Sequence, residues 1–523
     1  MSLVAKTIGT ILRERAVKTP ELIGMSYRNW RYSWKDIDEI SDQLAARYWN
    51  MGVRKGSHVA IWSVNSPNWV FCFFALNKIG AISILINTCY KEKEMEEVLR
   101  DNDVEFLFYG SGCKNVSYQE ILDKLPEDRL PCLRMRNCLD GHEKDPWYRK
   151  EDCPISMEIQ EKVQPDDTAC ILFTSGTTGR PRGVMLSHFS LVNNSAEIAR
   201  QMKWNQNDKI CVSVPLFHCF GITAGILASV HSGAEAHLLK YYKTLEVLEQ
   251  VQEHRCTVLN GVPTMFLALL RNPARQQYDI SSLQSGIIAG SPILPSEYRE
   301  ICRELSMDHL QTSYGQTESS PCITISGYDD SLERKAVTVG RPIGDIQVQI
   351  RDVKTGECLK EGQRGEILTR GYHVMQGYYK KPAATEKALD SQGWLHTGDI
   401  GYLDQDGYLH ITGRIKELII RGGENISPVE IESCMIEMPE IAEVKVIGIP
   451  AKVLQEEIAA CIILKEGAVL DEEQVRTYVR SRLSDYKVPK YVLTFQSFPT
   501  NASGKVAFQE LLDQACTMIK RKH

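Results

Sequence analysis

The 16 cysteines are scattered and form no C-x-x-C pair, so the spacing on which zinc ribbons and dithiol redox centres depend is missing. The Walker pattern G-x-x-x-x-G-K-[ST] is absent as well, which removes the P-loop NTPases. No unbroken apolar run is long enough for a membrane span: the most apolar stretch, Val70 to Ile86, is interrupted by Asn77, Lys78 and Gly80. The opening residues, Met1 to Lys6, lack a basic region followed by an apolar core, and Lys520-Arg521-Lys522-His523 fits no peroxisomal or retention address. A cytoplasmic location with reduced thiols is the resulting expectation. Neither a repeat of twenty to fifty residues nor a low-complexity linker occurs, which argues against a solenoid. There is little charge of either sign in excess: 61 basic against 67 acidic residues give a net charge of −6 and no global reason to bind nucleic acid.

What is present is the composition of a soluble globular protein, 43% apolar and 24% charged over 523 residues, too long for one ordinary core. Short apolar strands alternate with amphipathic helices, which favours α/β layers. The spacing predicts strands at Val59–Trp62 and Val104–Tyr109, a helix over Glu94–Arg100, and a buried helix Trp69–Leu76 that passes through Gly80 into a strand, Ala81–Ile86. From about Ile346 the texture changes to short alternating strands, with Asp404-Gln405-Asp406-Gly407 as a hairpin turn. This predicts a small antiparallel, barrel-like subdomain over 346–413. The remaining segment, 414–523, has its own strand–helix pattern and suffices for a small second domain.

The densest chemical signal is Thr174-Ser175-Gly176-Thr177-Thr178-Gly179-Arg180-Pro181-Arg182-Gly183, which follows the apolar run Ala169–Phe173. Glycines let backbone N–H groups approach an anion, while hydroxyls and guanidinium groups add donors, so a phosphate loop fits better than a plain surface turn. Further motifs follow in order: Pro215-Leu216-Phe217-His218, Gly261-Val262-Pro263-Thr264, Ala289-Gly290-Ser291-Pro292 and Tyr314-Gly315-Gln316-Thr317-Glu318. Then come Gly340-Arg341-Pro342, Trp394 to Asp399, Gly413-Arg414-Ile415-Lys416-Glu417, Gly422-Gly423-Glu424-Asn425-Ile426 and Ser503-Gly504-Lys505.

This ordered set, spanning essentially the whole chain, resembles the adenylate-forming superfamily, which includes acyl- and aryl-CoA synthetases, peptide adenylation domains and luciferases. The resemblance implies a large N-terminal α/β domain, residues 1–413, and a small mobile α+β domain, residues 414–523, hinged near Lys416. It also implies ATP, Mg2+ and coenzyme A, with a carboxylic acid converted first to acyl-AMP and then to a thioester. Two departures stand out: Arg182 occupies a position usually lysine, and Thr500 one where a cation is usual. A guanidinium is a planar fork and an ammonium a compact charge, so the first change is not neutral.

By the same resemblance, Thr174, Ser175, Gly176, Thr177, Thr178, Gly179 and Arg182 meet phosphate, with Gly290, Ser313 and Tyr314 also on the nucleotide. Glu318 is the candidate magnesium ligand, because a hard dication takes a carboxylate alongside phosphate oxygens. Thr317 would donate to the α-phosphate, and Asp399 would accept from both ribose hydroxyls, with Arg414 nearby. Lys505 would bridge carboxylate and α-phosphate as charge develops, although a lone lysine is ordinarily solvated. His218 and Phe217, with Val262 and Gly290, would border the acid, Met265 being a further apolar neighbour. Gly422, Gly423 and Glu424 would face the pantetheine, and Arg421, Lys487 and Lys490 are possible phosphate cations or simple surface groups. Cys219 invites a nucleophile assignment but reads more simply as a small buried hydrophobe.

The segments Val214–Gly233 and Gly423–Pro428 look most like medium-chain fatty acyl and carnitine-type CoA ligases. A 4-coumarate- or benzoate-type aryl ligase, a stand-alone adenylation protein that loads a carrier, and a non-catalytic nucleotide-binding relative remain as alternatives.

Overall fold

The computed structural model describes residues 3–140, 155–175, 181–421, 424–451, 455–500 and 506–522. Two compact units emerge: Met1–Val348 with Thr369–His396, and Gln349–Leu368 with Thr397–His523.

The larger unit is built on two mostly parallel sheets. In the nine-stranded sheet, strands Ile23–Tyr27, Glu235–Leu238, Lys209–Val212, Val258–Leu259, Ser285–Ile288 and His309–Gly315 run parallel, with antiparallel strands at both edges. The seven-stranded sheet sets Met135–Cys138, Phe106–Tyr109, His58–Trp62, Ile82–Leu85 and Thr168–Ser175 parallel, then adds Pro181–Ser187 and Gly377–Tyr378 antiparallel. Such near-continuous apolar strands need cover on both faces. One core cluster joins the two sheets, taking Met25, Ile210 and Ile287 from the first and Val59, Ile61 and Leu172 from the second.

Helix Pro67–Lys78 lies within that cluster. Its start is set by Ser66, whose Oγ accepts from the Trp69 N–H at 3.2 Å, and by Pro67 in the first turn. Eleven of its twelve residues are buried, which accounts for an apolar surface that goes all round rather than along one stripe. Gly80, at φ +73°, makes the left-handed turn that sends the chain into strand Ile82–Leu85, as the sequence predicts. Lys78 is fully buried, and its ammonium donates to Asp38 Oδ1 at 2.6 Å, Asp42 Oδ1 at 2.7 Å and the Asp38 carbonyl at 2.8 Å. Arg13 approaches the same two carboxylates, so the charges balance as a network.

The smaller unit contains a five-stranded sheet in which Gln455–Leu464 is central, flanked antiparallel by Ile441–Ala451 and parallel by Tyr491–Thr494. Alternation sorts its faces. Ile458, Ala460 and Ile462 join Val444 and Val446 beneath helices Pro428–Met435 and Glu472–Arg480, whereas Ala459 and Cys461 join Ile447, Leu511 and Ala515 of the C-terminal helix. The stretch expected to be barrel-like is a four-stranded sheet ordered Gln347–Arg351, Gly365–Arg370, Leu395–Leu403, Leu409–Arg414, with the predicted hairpin closing its last pair. Four strands are too few to close, and among the described residues its two edges stay open.

By compactness most of this sheet goes with the C-terminal segment, so the division differs from the 413/414 boundary expected from sequence. Local contacts explain the difference: Ser427 Oγ donates to the Thr412 carbonyl, and Arg364 lies 3.8 Å from Glu430. Among the described residues no helix is long and apolar enough to cross a membrane.

Substituting Lys78 with Met would leave two carboxylates without their ammonium in a site 13–14% exposed, at an expected cost of about 3–5 kcal/mol. The exposed pair Lys55–Asp167, 2.7 Å apart, is the comparison, and Lys55→Met should cost under about 1 kcal/mol. Urea unfolding followed by tryptophan fluorescence checks this, and equal shifts for the two variants would refute it.

Candidate active site

The segment expected to bind phosphate lies between strand Thr168–Ser175 and strand Pro181–Ser187. Ser175 pairs with Pro181 and Thr174 with Arg182, so Thr174 and Arg182 stand side by side on antiparallel neighbours. Gly176, Thr177, Thr178 and Gly179 lie outside the described residues, as do Gly422, Gly423 and Lys505.

Glu318 comes to the same end of the unit from the other sheet. Strand His309–Gly315 ends where a Cβ on Gly315 would meet the Pro321 carbonyl oxygen at 1.7 Å, so only glycine fits. The chain then closes a 3-10 turn, Thr317–Ser319, fastened by Gln316 N–H to Ser319 Oγ at 3.0 Å and Ser319 N–H to the Gln316 carbonyl at 2.9 Å. Glu318 in this turn is 9% exposed. Its Oε1 accepts from the Tyr378 hydroxyl at 2.8 Å and, more weakly, from Thr174 Oγ1 at 3.5 Å. Its main-chain carbonyl accepts from the Met375 N–H at 2.9 Å. A buried carboxylate is tolerable only when hydrogen-bonded, and here the hydroxyls of Tyr378 and Thr174 donate to it.

Tyr378 was not among the residues singled out from sequence, since its partner lies sixty positions away and tyrosine carries no motif signature. Burial, then the neighbouring Glu318 charge, raises its phenol pKa above the usual value, so it remains a donor. The Arg182 guanidinium lies 5.5 Å from the Tyr378 ring centroid. Ser313, by contrast, commits its hydroxyl to the Thr324 carbonyl at 2.9 Å, a bond between adjacent strands. Thr317 and Tyr314 are half-buried beside Glu318 in sequence.

Phe217 and His218 form a ring pair with centroids 4.9 Å apart. Their loop is pinned by Asn65, which accepts from Leu216 N–H at 2.9 Å and donates to the Val214 carbonyl at 3.1 Å. Val262 caps helix Pro263–Leu270, and a Cβ on Gly290 would sit 3.2 Å from its Cγ1, so these two expected pocket residues adjoin. Cys219 is 2% exposed, and burial pushes its thiol up to about 12, which excludes the nucleophile reading.

In the smaller unit Asp399 is 5% exposed and pairs in register with Arg414, whose Nε lies 2.8 Å from its Oδ1. The two expected ribose contacts are therefore one another's partners. Lys416 falls in the 3-10 turn Ile415–Glu417, and the backbone of Glu424 begins the strand Glu424–Ile426. The cations considered for coenzyme A are engaged locally. Arg421 Nε and Lys490 Nζ lie 2.7 and 3.1 Å from the two oxygens of Glu457, and Lys487 Nζ lies 2.8 Å from Glu430. Burial raises the Glu457 pKa, but the bonds from Arg421 and Lys490 outweigh it and hold the carboxyl below its usual value.

Residues 12–379 match the AMP-binding enzyme family, and residues 430–505 match the AMP-binding enzyme C-terminal domain. This chain belongs to the AMP-binding enzyme family. It is 38% identical to a putative acyl-CoA synthetase of Bacillus subtilis, over 99% of this chain and 98% of the relative. It is 33% identical to a mitochondrial medium-chain acyl-CoA ligase of Bos taurus, over 97% of this chain and 87% of the relative. Among solved structures, ATP-bound MatB from Rhodopseudomonas palustris superposes with a TM-score of 0.84 at 25% identity, covering 97% of this chain and 98% of that one.

With a thiol pKa of about 12 for Cys219, only about one molecule in ten thousand carries its thiolate at pH 8. Cys219→Ala should keep turnover within about twofold of the parent protein. A loss beyond tenfold in folded protein, read by pyrophosphate release, would restore the nucleophile assignment.

Proposed function

We propose that the chain is an ATP-dependent acyl-CoA synthetase that activates a medium-chain carboxylic acid. The observation that supports it most is the buried Glu318 carboxylate, held by the hydroxyls of Tyr378 and Thr174 at the strand ends that flank the phosphate loop. In the first step a carboxylate oxygen of the acid attacks the α-phosphorus of ATP. The bond to the β-phosphate breaks, and pyrophosphate leaves with the electron pair. In the second, the sulfur of coenzyme A attacks the acyl carbon, the bond to AMP breaks, and the thiol proton is lost to solvent. Both displacements gather negative charge on phosphate oxygens, so donors and cations fixed beforehand do most of the work.

The residues present fit a magnesium ion. Among the described residues no cluster of three or more His, Cys, Asp and Glu exists. Mg2+ in nucleotide sites needs none, taking one or two carboxylates and completing its shell with phosphate and water oxygens. Glu318 would supply that carboxylate, and the ion when bound neutralises developing phosphate charge. Thr317 orients the α-phosphate by its hydroxyl, Thr174 and Arg182 hold the phosphate tail, and Asp399 anchors the ribose with Arg414 keeping its carboxylate in place. Lys505 serves the first step and the glycines at 422 and 423 the second, with a hinge at Lys416 between them. Phe217, Val262 and Met265 supply apolar surface for an aliphatic tail. The cytoplasm is the location proposed, although the bovine relative is named as mitochondrial.

Pyrophosphate release over a panel of carboxylic acids, with and without coenzyme A, tests this reading. Each additional buried methylene should raise kcat/KM about fourfold, corresponding to roughly 0.8 kcal/mol, so acids of about six to twelve carbons should beat acetate. Equal or better turnover of acetate would defeat the medium-chain assignment, and activity only with a carrier protein would defeat coenzyme A as the acceptor.

The two half-reactions should also separate by mutation. Lys505→Ala should fail to form acyl-AMP yet convert supplied acyl-AMP and coenzyme A at close to the parent rate. Gly423→Leu should show the reverse, because its side chain obstructs pantetheine while Lys505 remains. Only interactions stronger in a given transition state accelerate that step, so equal slowing of both steps by both variants would sink the assignment.

A further inference from the structure

We infer that Tyr378 is a positioning residue for adenylation: its hydroxyl fixes the Glu318 carboxylate for a divalent cation, and its ring keeps Arg182 from pairing with that carboxylate. The inference rests on the synthetase reading above, which gives Glu318 a nucleotide-bound metal to hold.

Tyr378 does not hang from a loose loop. Strand Gly377–Tyr378 pairs antiparallel with the strand that carries Arg182, through Val184 with Tyr378 and Met185 with Gly377. Main-chain bonds extend the pairing at both ends, from Gln376 N–H to the Met185 carbonyl at 2.9 Å and from Tyr379 N–H to the Gly183 carbonyl at 2.8 Å. The flanking side chains are tied down as well: Gln376 Nε2 donates to the Asp166 carbonyl at 2.7 Å, and the Tyr379 hydroxyl to Asp103 Oδ2 at 2.7 Å. From this rigid segment Met375 holds the Glu318 main chain, and Tyr378, 8% exposed, holds its side chain. Glu318 is thus gripped at backbone and carboxylate by one short stretch of chain registered on the Arg182 strand.

The cation at 182 gives the phenol a second task. The Arg182 guanidinium sits 5.5 Å from the Tyr378 ring centroid, where the aromatic face attracts it. A guanidinium offers a planar fork that matches a carboxylate bidentately. Were it to turn onto Glu318, it would occupy the oxygens a metal needs. Arg182 is held by the ring and by a hydrogen bond to the phenol oxygen, while the phenol proton goes to Glu318, which keeps the two charged groups apart. Groups that orient a metal-binding carboxylate typically change metal affinity by 10–100-fold when removed.

Tyr378→Phe keeps the ring and removes only the hydroxyl. Mn2+, titrated by electron paramagnetic resonance in the presence of ATP, should bind this variant about tenfold more weakly than the parent protein, with the thermal unfolding midpoint moved by less than about 2 °C. In a Glu318→Gln background the same substitution should have no further effect on Mn2+ binding, because the two residues act as a unit. Unchanged Mn2+ affinity overturns the proposal. So does a loss that persists with Gln at 318, a loss that accompanies a large drop in midpoint, or a parent protein that binds no Mn2+ with ATP. Acid-dependent pyrophosphate exchange by the parent protein judges the synthetase reading separately: its absence defeats that reading, while the Mn2+ titration still decides Tyr378.

Discussion

The larger unit is organised around a helix that has no solvent side and yet carries a lysine. Pro67–Lys78 lies in the core shared by the two sheets, with Trp69, Phe71, Phe73 and Phe74 all buried. An ammonium at its last turn, near the negative end of the helix dipole, would still be intolerable there unpaired. Asp38 and Asp42, four residues apart on helix Trp34–Asn50, present both carboxylates on one face and supply the partners. The pair therefore fixes how these two helices meet, and with them the spacing of the layers. A buried ion pair of this kind gives little net stability over an apolar substitute, but breaking one side is costly, so it selects a single arrangement.

That rigidity is what the site draws on. The phosphate-loop strands belong to one sheet and the Glu318 turn to the other, and Glu318, Thr174 and Tyr378 meet within hydrogen-bonding reach only if the sheets keep their separation. Positioning groups within about half an ångström is what catalysis by preorganised donors requires. Loops carry the chemistry, and the strands that launch them carry the precision.

Much of this was legible from sequence because it is periodic or punctuated. The strands at 58–62 and 106–109, the buried helix before Gly80 and the Asp404–Gly407 hairpin all fall where alternation and turn residues place them. Ordered motifs drew attention to Glu318, Asp399 and Arg414, and the structure shows Glu318 and Asp399 buried. What stayed hidden depends on who meets whom at long range. Tyr378 reaches Glu318 across sixty positions, and Arg421 and Lys490 are gathered by Glu457 from opposite sides of the chain. The seven-residue π-helix Gly221–Leu227 was equally invisible, since no residue pattern distinguishes it from an α-helix. Asn260 Nδ2 donates to the Ala224 carbonyl at 3.2 Å, binding one of its carbonyls from outside.

The charges of the smaller unit obey a different logic from those around Glu318. Glu457 takes Arg421 and Lys490 on its two oxygens and is itself almost buried, so both cations are already oriented towards an acid of their own unit. The Asp399 side chain, 7% exposed against 60% for that of Arg414, is the buried member of the pair, and Arg414 the one solvent can exchange. On the proposed ribose role, loss of the Arg414 pairing would free a largely exposed guanidinium, which water can compensate at little cost. A phosphate that took the Arg421 Nε from Glu457 would leave that carboxylate with Lys490 on its other oxygen. Cation identity is thus a poor guide to anion binding, and the burial of the partner acid decides which pair can open.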